Sequence, residues 1–113
     1  MGLQLLDQFG FHHVLSNTPG TALVCFTAPH CGACKAMRRA LIQLAEARPD
    51  IRLFEVNSQR DAALAREFEL FQLPALFLYR QGEYHAPVQC APLVPELEGT
   101  LETLLAQPPL EAP

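Results

Sequence analysis

The spacing of apolar residues along the chain predicts alternating strands and helices. Runs of apolar and β-branched residues predict buried strands. Two further strands are expected at sheet edges, because one is short and the other contains Pro87, which cannot donate to a ladder. Apolar residues that recur three and four positions apart predict amphipathic helices between them. The predicted strands are 3–6, 21–27, 51–56, 75–79 and 83–89, and the predicted helices lie near 9–15, 34–48, 62–68 and 95–105.

This order of elements predicts an α/β fold in which a central mixed sheet is covered by helices on both faces. The chain has 113 residues, half of them apolar and 18% charged, which suffices for one ordinary core without structural disulfides. No internal repeat or linker interrupts it. We assign residues 1–107 to a single domain and the proline-rich residues 108–113 to a flexible C-terminal tail.

The net charge limits the classes of binding partner that we expect for this chain. Eight Lys and Arg against twelve Asp and Glu give a net charge of −4, so no surface that neutralises phosphates is expected and nucleic acid is excluded as a partner. No apolar run approaches the ~20 residues of a membrane span, and the N-terminus lacks a basic targeting region. We expect a cytoplasmic monomer; a mature exported domain whose leader has been removed is the alternative.

Two of the four cysteines stand as Cys31-Gly32-Ala33-Cys34, where a predicted strand gives way to a helix. A helix that begins between them places the first sulfur at unpaired backbone N–H groups and at the positive end of the helix dipole, which favours the Cys31 thiolate. Cys34 lies one turn further on, close enough to attack a mixed disulfide formed at Cys31. This pattern predicts thiol–disulfide exchange, with Cys31 as nucleophile and Cys34 as resolving cysteine.

The residues around the pair suit that chemistry. Gly32 and Ala33 are small, which lets a protein substrate approach. His30 precedes the nucleophile; a protonated imidazole there would favour the thiolate further, and a solvated loop residue is the alternative.

These features resemble the thioredoxin family over nearly the whole chain. The matching segments are residues 22–26, 28–35, 56–57, 73–79 and 81–83, with Pro74 standing 40 residues after Cys34 and opening an apolar strand. The resemblance implies a thioredoxin-like fold and a protein-disulfide reductase or related thiol–disulfide oxidoreductase. Its implied partners are protein disulfide substrates and a reductase or oxidase that resets the pair, and it implies no cofactor beyond the Cys31–Cys34 disulfide.

The resemblance also implies a substrate-binding position at Leu73 and Pro74. In the family the matching proline is cis and faces the redox cysteines, and the backbone of the preceding residue pairs with the extended substrate chain. A cis bond before proline costs only ~0.5–1 kcal/mol. The alternative is a trans proline that simply begins a strand.

Several positions depart from the family pattern. The chain has no tryptophan, and Thr27 and His30 stand where the family usually has one. Cys25 replaces a buried aspartate to which the family assigns proton transfer with the resolving cysteine, and a thiol in apolar surroundings is a poor base. Arg39 replaces a proline that bends the following helix, so a straighter helix is expected.

Three further positions leave alternatives open. Glu55 stands where the family has a lysine; it is either a substitute base acting through a water or a surface strand residue. Cys90 aligns with a rim glycine and is either a third reactive thiol or an inert residue at a strand end. His85 is predicted to face water on the last strand.

Two other functions compete with the enzyme. An adaptor or assembly protein would bind an extended partner segment beside Leu73-Pro74 and use the cysteines as a redox lock. A metal site would draw on His30, Cys31, Cys34 and one further thiol, but structural zinc generally needs two ligand pairs and only one CxxC is present. We therefore predict no bound metal.

Overall fold

The computed structural model describes residues 2–113; Met1, at which the predicted domain begins, lies outside them. The nine elements follow the predicted order, so the α/β assignment is confirmed. The strands are β1 (Gln4–Leu6), β2 (Thr21–Thr27), β3 (Ile51–Asn57), β4 (Ala75–Arg80) and β5 (Glu83–Val88). The helices are α1 (Phe11–Ser16), α2 (Gly32–Ala47), α3 (Ala62–Glu67) and α4 (Val94–Leu105).

The five strands form one mixed sheet in the order β1-β3-β2-β4-β5. β3 pairs in parallel with β1 and β2, whereas β4 pairs antiparallel with β2 and β5. The central position of β2 explains its almost continuous run of apolar residues, because a strand buried on both faces has no solvent side. β1 and β5 lie at the edges, as their length and Pro87 predict.

Helices cover both faces of the sheet and create two different cores. On one face α2 and α4 pack mainly aliphatic side chains, among them Leu41, Leu44 and Leu97, against the sheet. On the other face α1 and α3 enclose an aromatic cluster that includes Phe11 and Phe26. Because side chains alternate along a strand, Cys25 and its neighbours on β2 belong to opposite cores.

α2 positions the cysteine pair. It begins after Cys31, whose extended backbone (φ −104°, ψ 103°) makes it the N-cap, and it runs for 16 residues without interruption through Arg39. The chain leaves the helix at Arg48, just before Pro49. Within residues 2–113 no helix has both the length and the apolar character needed to cross a bilayer.

His85 does not face water, so that prediction is wrong. It is 4% exposed, and its Nε2 lies 2.7 Å from the carbonyl oxygen of Leu104 near the C-terminus of α4. The last turn of α4 covers this part of β5, a contact distant in sequence that a local pattern does not report. The amide of Leu110 donates to the carbonyl of His85 at 2.7 Å, so the C-terminal tail makes a backbone contact with β5; its flexibility stays a prediction.

Candidate active site

Cys31 and Cys34 form a disulfide at the N-terminus of α2, with their Cα atoms 5.2 Å apart. The two sulfurs differ in environment. Cys34 is 1% exposed, whereas Cys31 is partly exposed at the cap position. The amide of Cys34 also donates a hydrogen bond of 3.1 Å to the Cys31 sulfur. An incoming thiol or disulfide can therefore reach Cys31 more readily than Cys34.

The surroundings of Cys31 favour its thiolate once the disulfide is reduced. Its sulfur lies where the free amides of the helix converge, and the first turn of α2 contains no acidic residue. Lys35 follows one turn later and is exposed. His30 is exposed and has a φ of 61°, the left-handed region that histidine tolerates better than most residues. This backbone conformation turns the chain from β2 into the helix.

The Leu73–Pro74 peptide bond is cis, and both residues line a groove of about 540 Å³ beside the N-terminus of α2. The groove brings Ala33 and Met37 of the helix together with the loop before β4, the end of β5 and Cys90. Most of the side chains that line it are apolar, and among the described residues 2–113 Glu69 is the one charged residue in the lining. An extended chain with uncharged side chains fits this groove better than a highly charged one.

Phe71 stands out within that lining, and sequence reasoning did not single it out. It is 98% exposed, in the loop between α3 and β4. Monomeric proteins tolerate isolated exposed apolar residues, but this phenylalanine stands at a groove next to the disulfide. The only signal in the sequence was an aromatic residue placed between Glu69 and Pro74 in a predicted loop.

Cys25 lies beneath the site, fully buried in the aliphatic core. Burial raises the pKa of its thiol to about 12, with a further rise from Glu55 and an opposing contribution from Arg38. Cys25 is therefore a neutral thiol at physiological pH. It fills space in the core and is a poor acceptor of a proton.

Glu55 is held by two partners rather than lying free on the surface. Its carboxylate accepts a hydrogen bond of 2.6 Å from the Thr27 hydroxyl and one of 3.3 Å from Arg38 Nε, and it forms an ion pair with the Arg38 guanidinium. Partial burial raises the pKa of Glu55, but the hydrogen bonds from Arg38 and Thr27 outweigh it and leave the pKa below its ordinary value. A carboxylate with a lowered pKa is a weak proton acceptor at neutral pH.

Cys90 lines the same groove just after the end of β5 and is partly buried. Burial raises the pKa of its thiol; a hydrogen bond from Thr100 lowers it in part, and Glu96 raises it again. The result is a smaller thiolate fraction than an exposed cysteine would have, which lowers its reactivity as a nucleophile. The two alternatives for Cys90, a third reactive thiol and an inert residue at a strand end, both stay predictions.

Across the described part of the chain, residues 2–113, no group of three or more His, Cys, Asp and Glu side chains is arranged to hold a metal ion. His30, Cys31 and Cys34 thus do not form such a group there. A dithiol that carries out exchange needs no metal, because the electron pair moves between sulfur atoms.

Comparison with known proteins decides the family: the thioredoxin family model matches residues 3–103. The chain belongs to the thioredoxin family. A thioredoxin-like protein of the cyanobacterium Synechocystis is 31% identical over 74 residues, which are 65% of this chain and 70% of that protein. Chicken protein disulfide-isomerase is 38% identical over 69 residues, but the match covers only 13% of that longer protein. The crystal structure of thioredoxin f2 from Chlamydomonas reinhardtii superposes with a TM-score of 0.76 at 26% identity, covering 96% of this chain and 100% of that one.

Membership of the thioredoxin family places the cysteine pair in context. The fold and the Cys31–Cys34 disulfide together support thiol–disulfide oxidoreduction as the general type of chemistry. Within that framework this chain has Cys25 rather than an acid beneath the disulfide, and an Arg38–Glu55 ion pair beside it.

Proposed function

We propose that this thioredoxin-family chain is a protein thiol–disulfide oxidoreductase in which Cys31 attacks and Cys34 resolves. The single observation that carries the proposal is the asymmetry of the pair: Cys31 is partly exposed at the helix N-cap, and Cys34 is 1% exposed behind it. A nucleophile has to reach its substrate, whereas a resolving thiol only has to reach the nucleophile.

In the reducing direction the Cys31 thiolate attacks one sulfur of a client disulfide. A bond forms between Cys31 and that sulfur, the client S–S bond breaks, and the other client sulfur leaves as a thiolate. Cys34 then attacks the Cys31 sulfur and gives up its proton, which the second departing client thiolate can accept. Two electrons have passed to the client, the Cys31–Cys34 disulfide has formed, and a dithiol reductant from another protein must reduce it before the next cycle.

We propose that the groove at Leu73 and Pro74 aligns the client chain for this attack. The two residues of the cis bond line a groove that also contains Ala33, one of the two residues between the cysteines. An extended client segment laid along Leu73 would bring its disulfide toward the N-terminus of α2. Main-chain contacts of this kind accept many sequences, while the apolar lining favours uncharged side chains near the client disulfide.

The test is reduction of insulin by dithiothreitol with Cys31→Ser and Cys34→Ser variants. We expect Cys31→Ser to abolish the rate above background and Cys34→Ser to accumulate a mixed disulfide with insulin, visible on a non-reducing gel. Cys25→Ala removes a buried cysteine outside the groove and serves as the matched control, with a rate close to that of the unmodified chain. Full activity of Cys31→Ser would overturn the proposal.

A second candidate is supported by the exposed Phe71 and the apolar groove, which would also suit a protein that only binds a partner segment. In that case the cysteines would lock or release the partner without turnover. Two results together would favour this adaptor. The Cys31→Ser/Cys34→Ser double variant would capture partners from lysate as well as the unmodified chain does, and the unmodified chain would show no insulin reductase activity.

A further inference from the structure

One polar contact joins α2 to the sheet next to the cysteine pair. Arg38 extends from α2 to Glu55 on β3, and the same carboxylate accepts a hydrogen bond from Thr27, the last residue of β2. The side chain of Glu55 is 16% exposed and that of Arg38 is 36% exposed, so both charges are partly withdrawn from water. Charges in such a position act on their neighbours more strongly than fully solvated ones.

Three observations place the Arg38–Glu55 ion pair one helical turn from Cys34 and next to the buried Cys25. Arg38 follows Cys34 by four residues on the same helix, which places the two side chains on one face, one turn apart. Glu55 is the register partner of Cys25 in the β2–β3 ladder. Both charges also act on the Cys25 thiol, since Glu55 raises its pKa and Arg38 lowers it. A sulfur in this layer therefore senses the carboxylate and the guanidinium with opposite sign.

Reduction of the disulfide adds negative charge at the same place, because at least one sulfur must become a thiolate to react. An unpaired guanidinium beneath the couple would favour that charge, and an unpaired carboxylate would oppose it. With both present the two effects oppose each other. We propose that the Arg38–Glu55 pair neutralises the layer beneath the Cys31–Cys34 couple and thereby sets how readily the reduced couple ionises. The inference rests on the proposed function, with Arg38 and Glu55 as positioning residues that do not touch the client.

Other ionisable groups lie near the cysteines in the sequence, in the neighbouring core or in the groove, and they stay constant in the experiment. They are Lys35 and Arg39 on α2, His30 before it, Cys25 on β2, and Glu69 and Cys90 in the groove. Arg39 provides the matched control, because it is exposed and directly follows Arg38, so Arg39→Met removes the same charge from the same helix.

The experiment compares Glu55→Gln, Arg38→Met, the double variant and Arg39→Met in the reduced full chain. The first measurement is the rate of Cys31 alkylation by iodoacetamide from pH 5 to 10, and the second is the equilibrium with reduced and oxidised glutathione at pH 8. We expect Glu55→Gln to move the alkylation midpoint to lower pH and the equilibrium toward the dithiol by about threefold to tenfold. Arg38→Met should move both in the opposite direction, and the double variant should return near the unmodified chain.

Opposite shifts in the two single variants would indicate an effect of charge. Loss of a structural contact would instead shift both variants in the same direction, or shift neither of them. Shifts of one sign, unchanged profiles, or an equal effect of Arg39→Met would overturn the inference. Circular dichroism of each variant shows whether the fold is intact. If the unmodified chain failed to exchange with glutathione at all, the proposed function itself would fail, which separates the two conclusions.

Discussion

The two faces of the sheet differ in the side chains that they pack and in what those side chains contribute to the molecule. On the α1 and α3 face, aromatic rings pack against one another, as Phe11 does with Phe26, Phe68 and Tyr79 at centroid distances of 5.4–6.2 Å. On the α2 and α4 face the core is aliphatic, and it includes a buried thiol and lies beside an ion pair and the disulfide. The disulfide and the ion pair therefore belong to the second face, whereas the first face supplies Phe68, Phe77 and Leu73 to the groove and otherwise serves stability. Variants on the two faces should separate these properties.

The largest effect on stability is expected at the centre of the aromatic face. Phe11 is completely buried, and Phe11→Ala should lower the free energy of unfolding by about 3–5 kcal/mol, because it removes contacts and leaves a cavity. Urea denaturation followed by circular dichroism measures the loss. The milder Phe11→Leu should cost about 1 kcal/mol and keeps the test valid if the alanine variant does not fold. A folded Phe11→Leu chain with a strongly reduced rate of insulin reduction would contradict the division between the faces.

Cys25 tests the same division from the chemical face. Cys25→Ser places a hydroxyl in a fully buried aliphatic site and should destabilise the fold by about 1–3 kcal/mol, since the hydroxyl loses its water there. Cys25→Ala should cost less because it introduces no polar group. Both variants should reduce insulin at the unmodified rate at temperatures where they are folded. Loss of activity in a folded Cys25→Ala chain would show that this thiol takes part in the chemistry.

Phe71 probes the groove without involving either core. Phe71→Ser should lower kcat/KM for a protein client by about threefold to tenfold, because a client segment can no longer bury part of the ring. The free energy of unfolding should change by less than about 0.5 kcal/mol, since the ring is almost fully exposed. Turnover of a small disulfide such as 5,5′-dithiobis(2-nitrobenzoic acid) is the control and should not change. Equal loss with both substrates would place the effect at the disulfide rather than in the groove.

The smallest expected effect is a pH dependence of stability at Glu55. Its pKa in the folded chain is below the ordinary value, so its contribution is fully present above the unfolded pKa near 4.5 and disappears as pH falls through the folded pKa. Between pH 6 and 3 the free energy of unfolding of the unmodified chain should therefore fall further than that of Glu55→Gln, by about 1 kcal/mol or less. Urea midpoints at several pH values measure this difference. An identical slope for the two chains would show that the ion pair adds nothing to folding.

The element order, the edge strands and the position of the cysteines at a helix start followed from local patterns. Apolar runs and the CxxC spacing are properties of neighbouring residues, and the sequence contains them directly. The Arg38–Glu55 ion pair could not be read in this way, because it joins residues 17 positions apart through the packing of a helix on a sheet. The burial of His85 could not be predicted for the same reason, since the carbonyl that contacts its ring belongs to Leu104 on another element.

Because the Cys34 amide donates a hydrogen bond to the Cys31 sulfur, the same sulfur atom both caps the helix N-terminus and performs the reaction. A thiolate accepts such a bond more strongly than a sulfur in a disulfide does, because it has a full negative charge. The N-terminus of α2 is thus capped most strongly when Cys31 is a free thiolate. The cap weakens whenever that sulfur is bonded to a client or to Cys34. The order of the first helical turn would then report the oxidation state of the protein, and hydrogen exchange at the Cys34 amide would follow the catalytic cycle.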